Sequence, residues 1–152
     1  MRKTIIFPES FILKLLSNQR DKLVEVFKKL AAKDVAIVFI ASDIGALNKA
    51  INAADLNYKK AFFIDYSSVK SAKEGVITAK DLKKAMSIAG SLQITIISNK
   101  IQDAPAAKET GLNFILFVDV NEEKNHLMSY TVLRDLSLLP VILPSQSTNY
   151  HC

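Results

Sequence analysis

Five places in the chain put an acid, an alcohol or an amide directly after a run of apolar residues. Glu9 and Ser10 follow Lys3–Phe7, Ser42 and Asp43 follow Val35–Ala41, and Asp65, Ser67 and Ser68 follow Ala61–Ile64. Ser98, Asn99 and Lys100 follow Gln93–Ile97, and Asp119 follows Asn113–Val118. Carboxylates ligate hard cations, so Asp65 and Asp119, helped by Ser or Asn neighbours, are the candidate ligands of a metal such as Mg²⁺. Ser98 suits a phosphoryl group as hydrogen-bond donor, and Lys100 suits it as a neutralising charge. Asp65, Ser67, Ser98, Asn99, Lys100 and Asp119 thus form the candidate ligand site. Serine and aspartate also cap helices, so the bland reading of the same residues is structural.

These residues can meet only if the runs before them are strands of one sheet pointing the same way. Lys59-Lys60-Ala61-Phe62-Phe63-Ile64-Asp65 reads as a strand buried on both faces, and we expect it at the centre of the sheet. Val35–Ala41 is the most β-branched run, and Lys3–Phe7 is a short first strand stopped by Pro8. Between the strands lie helical signals. Apolar residues recur at helical spacing from Phe11 to Leu30, with Ser10 as a possible cap and an interruption at Ser17-Asn18-Gln19 that predicts a kink or two abutting helices. Asp43 caps a helix from Ile44 to Ala54, and Thr78-Ala79-Lys80-Asp81 resembles a capping box for a helix ending at Gly90. Asp103-Ala104-Pro105 opens a short helix stopped by Gly111, while Ser67 to Ile77 reads as a loop.

Beyond Asp119 the pattern is ambiguous. Asn121 to Leu139 fits a helix, but His126 to Leu133 also fits an edge strand hairpinned onto the fifth, and Tyr130-Thr131-Val132 favours the strand. Val141-Ile142-Leu143, between Pro140 and Pro144, reads as an edge strand or extended tail and offers a surface for self-association. The alternation calls for a three-layer α/β domain over residues 1–144, followed by a frayed tail at 145–152. Its sheet is mostly parallel and doubly wound, Rossmann-like or RecA-like, with an antiparallel edge strand near the C-terminus.

Composition narrows the function classes. The 152 residues are 49% hydrophobic and 23% charged, which suits one globular domain. Net charge is +5, but the excess is scattered lysine, with three arginines and no basic tract, so a nucleic-acid partner is not expected. No apolar run reaches the roughly 20 residues of a membrane span, and the first one ends too early for a signal peptide. The single cysteine, Cys152, closes no intrachain disulfide, and a cytoplasmic location is expected. Zinc ligand spacing is missing, since His126 and His151 stand far apart, and no Gly-x-Ser-x-Gly elbow occurs. Neither phosphate-binding glycine pattern is present, and the first strand runs into Phe7-Pro8-Glu9-Ser10 instead. The strand phenylalanines read as core, whereas Tyr58 and Tyr66 are placed to line a cleft.

Phe62-Phe63-Ile64-Asp65-Tyr66-Ser67-Ser68 resembles the Walker B strand of RecA-type ATPases, notably archaeal KaiC-like domains. Val38–Ser42 and Ile94–Asn99 are similar to its flanking strands, the second at the sensor position, and the likeness spans residues 35–120. It implies a degenerate member, because the Walker A lysine and hydroxyl are missing and ATP hydrolysis is not expected. The expectation is a non-catalytic regulatory or assembly module with no cofactor, partnered by another protein or by its own copies. A second likeness, to phosphoacceptor receiver domains, rests on Asp65 and Ser98 and implies Mg²⁺-dependent phosphoryl transfer at Asp65. Glu9 is a lone acid where that family has a pair, and Asp119 stands where it has lysine. Haloacid-dehalogenase-type phosphatases have a second Asp two residues after the first, and here Ser67 takes that place.

Overall fold

The structure, a computed structural model, describes residues 3–91, 93–119 and 130–143. Six strands form one sheet: β1 (Lys3–Pro8), β2 (Ala36–Ala41), β3 (Ala61–Asp65), β4 (Gln93–Ser98), β5 (Asn113–Phe117) and β6 (Thr131–Leu133). Their order is β3-β2-β1-β4-β5-β6, and every neighbouring pair is parallel. This is the order of doubly wound dinucleotide-binding sheets, whose winding reverses between β1 and β4. The strands named above as 35–41, 61–64 and 94–97 therefore run one way, and their polar ends share one edge.

Helices cover both faces, as parallel strands require. One face packs under α1 (Glu9–Asn18), α2 (Arg20–Ala32) and α3 (Ile44–Ala53), joined by a 3₁₀ turn at Leu136–Leu138 and α7 (Leu139–Ile142). Its core is aromatic: Phe7 lies about 6 Å from the rings of Phe11, Phe27 and Phe39, and Phe11 is 5.4 Å from Phe117. The other face packs Ile6, Val38, Ile40 and Ile64 against α5 (Ala79–Ala89) and α6 (Ala104–Thr110), with Tyr66 at its upper rim. The interruption at Ser17-Asn18-Gln19 is a helix boundary, because Gln19 leaves the helical region with φ −140°. Asp43 caps α3 by accepting from the Ala46 N–H at 3.0 Å, and the capping box at Thr78 and Asp81 is complete.

Several expectations are corrected. The Ala61–Ile64 run is the edge strand of the sheet, while the short first strand is central. Helices on both faces bury apolar side chains even at an edge, so an unbroken apolar run marks a parallel strand without marking its rank in the sheet. The C-terminal strand β6 is parallel to β5, not hairpinned onto it, with Leu116 opposite Val132. Ser67–Ile77 contains a helix, α4 (Val69–Glu74), where Ser68 caps by accepting from the Ser71 N–H and Gly75 closes at φ 67°. Val141 sits in the helical turn α7 and not in an edge strand; Pro140 falls in its first turn, where proline is tolerated. Helix α1 begins at Glu9 directly after Pro8, so Ser10 is not its cap. The hairpin proposed from His126, most of the Asn121–Leu139 alternative and the 145–152 tail lie wholly or largely outside the described residues.

Candidate functional site at the carboxyl edge of the sheet

In sheets of this order ligands settle outside the carboxyl ends of the strands where the winding reverses. Here that position belongs to Pro8-Glu9 after β1 and Ser98-Asn99-Lys100 after β4. Pro8 ends β1 and immediately precedes α1, so no loop separates strand from helix. Glu9 then reaches sideways to the end of β2, accepting from the Ser42 hydroxyl at 2.7 Å and its N–H at 3.3 Å.

Two buried carboxylates organise the rest of the edge. Asp81, in the first turn of α5, accepts from the Ser67 N–H at 2.5 Å, the Thr78 N–H at 2.8 Å and the Thr78 hydroxyl at 3.0 Å. It thereby ties the chain leaving β3 to the start of α5. Asp103, just before α6, accepts from the Ser98 hydroxyl at 2.5 Å and the Ile77 N–H at 2.9 Å. Both side chains are fully excluded from solvent. Burial raises the Asp103 carboxyl above its ordinary value, and the Ser98 and Ile77 hydrogen bonds and the nearby Lys100 charge pull the other way. Lys100 donates to the Gly75 carbonyl. Tyr66 is buried among these groups, and its phenol is pushed well up, first by burial and then by Asp103, Glu9 and Asp81.

The sequence candidates separate into three places. Ser67 and Ser98 each join one of the buried acids, and Lys100 stays on the same turn through its N–H, 3.1 Å from the Ser98 hydroxyl. Asn99 Oδ1 beside them is buried without a hydrogen-bond partner among the described residues. Asp65 is exposed at the end of β3, three strand positions from β4 or about 14 Å at the usual strand spacing. Asp119 follows β5, four positions from β3 or about 19 Å, which no single cation with ligands at about 2.1–2.6 Å can bridge. Among the described residues no three His, Cys, Asp or Glu side chains gather for a metal.

Asp119 instead borders a cleft of about 820 Å³ at the α1–α2 corner, with Arg20, Arg134, Asp21, Lys22 and Asp135. Its charges are mixed. Lys22 pairs with Asp135 at 3.4 Å, and the Asp135 carboxyl is lowered chiefly by its Ser137 hydrogen bonds. Tyr58 lines a different hollow, beside β3, and donates to the Val35 carbonyl.

Sequence reasoning missed Asp81 and Asp103 as members of the edge, because both stand where a helix starts and read fully as caps. The available signal was their apolar company: Leu82 and Ala104 next in the chain are core residues and carry each acid inside.

No protein-family model and no curated protein matches the chain. Among solved structures it is similar to a putative phosphoglycolate phosphatase from Lactobacillus delbrueckii subsp. bulgaricus, at 11% identity and a TM-score of 0.57. The match covers 82% of this chain and 53% of that one, so the chain spans about half of that protein's length. A likeness at this identity shows the α/β fold, and with it the parallel sheet flanked by helices.

Proposed function

We propose that the chain is a non-catalytic α/β module of regulatory or assembly type, as the degenerate ATPase resemblance implies. One observation carries this reading. The strand–helix junction where such sheets hold phosphate on backbone N–H groups is here Pro8 followed by Glu9: an imide without N–H and then a carboxylate. A phosphate approaching α1 would meet negative charge and one fewer donor. The buried acids nearby support the same conclusion, since Asp81 and Asp103 each engage both carboxylate oxygens with donors of the chain itself. Groups committed to holding loops in place are poorly disposed to release them for a substrate.

The test is a thermal-shift and isothermal titration with Mg-ATP, run beside hydrolysis assays on a small phosphodonor and on phosphoglycolate. The expected outcome is no saturable heat and no turnover. Turnover that disappears in Asp103→Asn would overturn the reading.

A phosphoryl-transfer reading is favoured by one feature, the cluster of the buried Asp103 carboxyl, the Ser98 hydroxyl and the Lys100 ammonium beyond β4. In that case Asp103 takes the part first assigned to Asp65. Asp65 stands too far along the sheet to act with Ser98 and Lys100.

A further inference from the structure

β3 is one edge of the sheet among the described residues, and its sequence is complementary to itself when reversed. Lys60 accepts through its carbonyl from the Ile37 N–H, and the Tyr66 N–H donates to the Ala41 carbonyl. Residues 60, 62, 64 and 66 therefore turn their backbone groups toward β2. Ala61, Phe63 and Asp65 turn theirs outward, where no described strand pairs with them. Phe62 and Phe63 are half-buried on opposite faces, one against each core. Beside Ala61 and Phe63, the face under α3 opens into a hollow of about 420 Å³, also lined by Leu56, Tyr58 and Lys59. Lys59 and Asp65 are both exposed, and among the described residues neither side chain has an ion-pair partner.

We propose that β3 is a self-association edge, on which a second copy of this chain adds its own β3 antiparallel to make one continuous sheet. A two-fold axis normal to the sheet leaves each side chain on its face, so opposed residues must share parity and their numbers must sum to an even value. The sum of 124 places Phe62 opposite Phe62 of the other copy. It sets Ala61 opposite Phe63, the outward-facing pair that can exchange both backbone hydrogen bonds, and brings Lys59, in the turn just before β3, beside Asp65. Each ion pair occurs twice by symmetry. The ring of Phe63 from the second copy falls over Ala61, the small residue that borders the hollow. Lysines on an edge strand usually deter pairing. Here Asp65 at the end of β3 answers Lys59 in the turn that leads into it, but only in the antiparallel arrangement, since a parallel one would set Lys59 against Lys59. This gives the assembly reading above a partner. A chain that dimerised and also turned over phosphoesters would refute that reading and leave this one standing.

Sedimentation equilibrium of the full chain under reducing conditions, which prevent Cys152 from linking copies, should give a reversible dimer. Lys59→Glu and Asp65→Lys each set like charges across both symmetric positions and should each weaken dimerisation by about tenfold or more. Mixed in equal amounts, the two variants should recover a heterodimer near wild-type affinity, because glutamate then faces lysine and aspartate faces lysine. Val141→Lys, at the most exposed residue of α7, should leave the dimer intact. Far-ultraviolet circular dichroism spectra of all variants should match the wild type, since all three substituted positions are exposed, while the melts of Lys59→Glu and Asp65→Lys should match the wild type only at concentrations where it too is monomeric. A monomer at every concentration, a mixture no tighter than the single variants, or loss of the dimer in Val141→Lys alone would each overturn the proposal.

Discussion

Removing the Asp81 carboxylate tests whether the carboxyl edge is held by buried acids. In Asp81→Ala the Ser67 N–H, the Thr78 N–H and the Thr78 hydroxyl all lose their acceptor, and the first turn of α5 loses half of its capping box. Hydrogen bonds to a charged, buried acceptor are worth about 1.5–3 kcal/mol each, and some of that is recovered if water enters the gap. Taking the two N–H groups at the low end, one of them the capping-box bond, and about 1 kcal/mol for the Thr78 hydroxyl gives a loss of about 4 kcal/mol. That is a large share of the roughly 5–15 kcal/mol typical of a domain. With a urea slope of about 2 kcal/mol/M, the unfolding midpoint should fall by about 2 M. Asp81→Asn keeps one accepting oxygen but turns an amide donor toward the other N–H, so its loss should be about half as large. Glu109→Gln, at an exposed position of α6 away from the proposed dimer edge, is the control and should leave the midpoint in place. An Asp81→Ala midpoint within about 0.5 M of wild type would refute the reasoning, as would a Glu109→Gln loss of the same size as the Asp81→Ala loss.

Burial and backbone geometry set three further outcomes. Because burial raises the Asp103 carboxyl in the folded chain, its contribution is fully present below the unfolded value of about 3.9 and is lost as pH rises through the folded pKa. The stability of wild type relative to Asp103→Asn should accordingly be greatest in acid and shrink toward neutrality; a flat difference in urea midpoints would count against it. Gly75→Ala should cost more than Gly90→Ala in the same assay. Both glycines have φ near +60° to +67°, with a left-handed penalty of about 1–2 kcal/mol for a side chain, but only a Cβ at Gly75 meets another group, Lys100 Nζ at 3.2 Å. The Tyr58 phenol, pushed up to about 12 by burial, should stay protonated past the range of an exposed tyrosine, and an ultraviolet titration compared with Tyr58→Phe reads this directly.

The sequence made the layers and punctuation legible because those depend on neighbours in the chain. Asp43, Thr78 and Gly90 cap the helices assigned to them, since a cap is satisfied within three or four residues. Strand rank was not legible. An apolar run such as Ala61–Ile64 says that both faces are covered, and nothing in it says whether another strand lies on each side. The failure at Val141 has a related origin: two prolines fit a helical first turn as well as an extended tail, and packing of α7 against α2 decides between them.

The donors of the edge were legible and their acceptors were not. Ser67 and Ser98 stand out as alcohols closing apolar strands, yet the site read from the sequence grouped both with Asp65, the acid that ends a strand nearest to Ser67. The structure gives Ser67 to Asp81 and Ser98 to Asp103, at sequence separations of 14 and 5. The physical reason is desolvation. A carboxylate repays burial only when donors converge on it, and converging donors come from several loops at once, so an acid that can be buried is one that stands where loops meet. Asp65, at the end of an edge strand, has loops on one side only and stays in water. An acid that directly follows a strand is thus a weaker sign of a site than an acid in a helix's first turn followed by core residues, as Asp81 is by Leu82 and Asp103 by Ala104. The same logic separates the two ends of the functional question. The acids inside are committed to holding the loops, whereas Lys59 and Asp65 outside are the charges on which the proposed dimer rests.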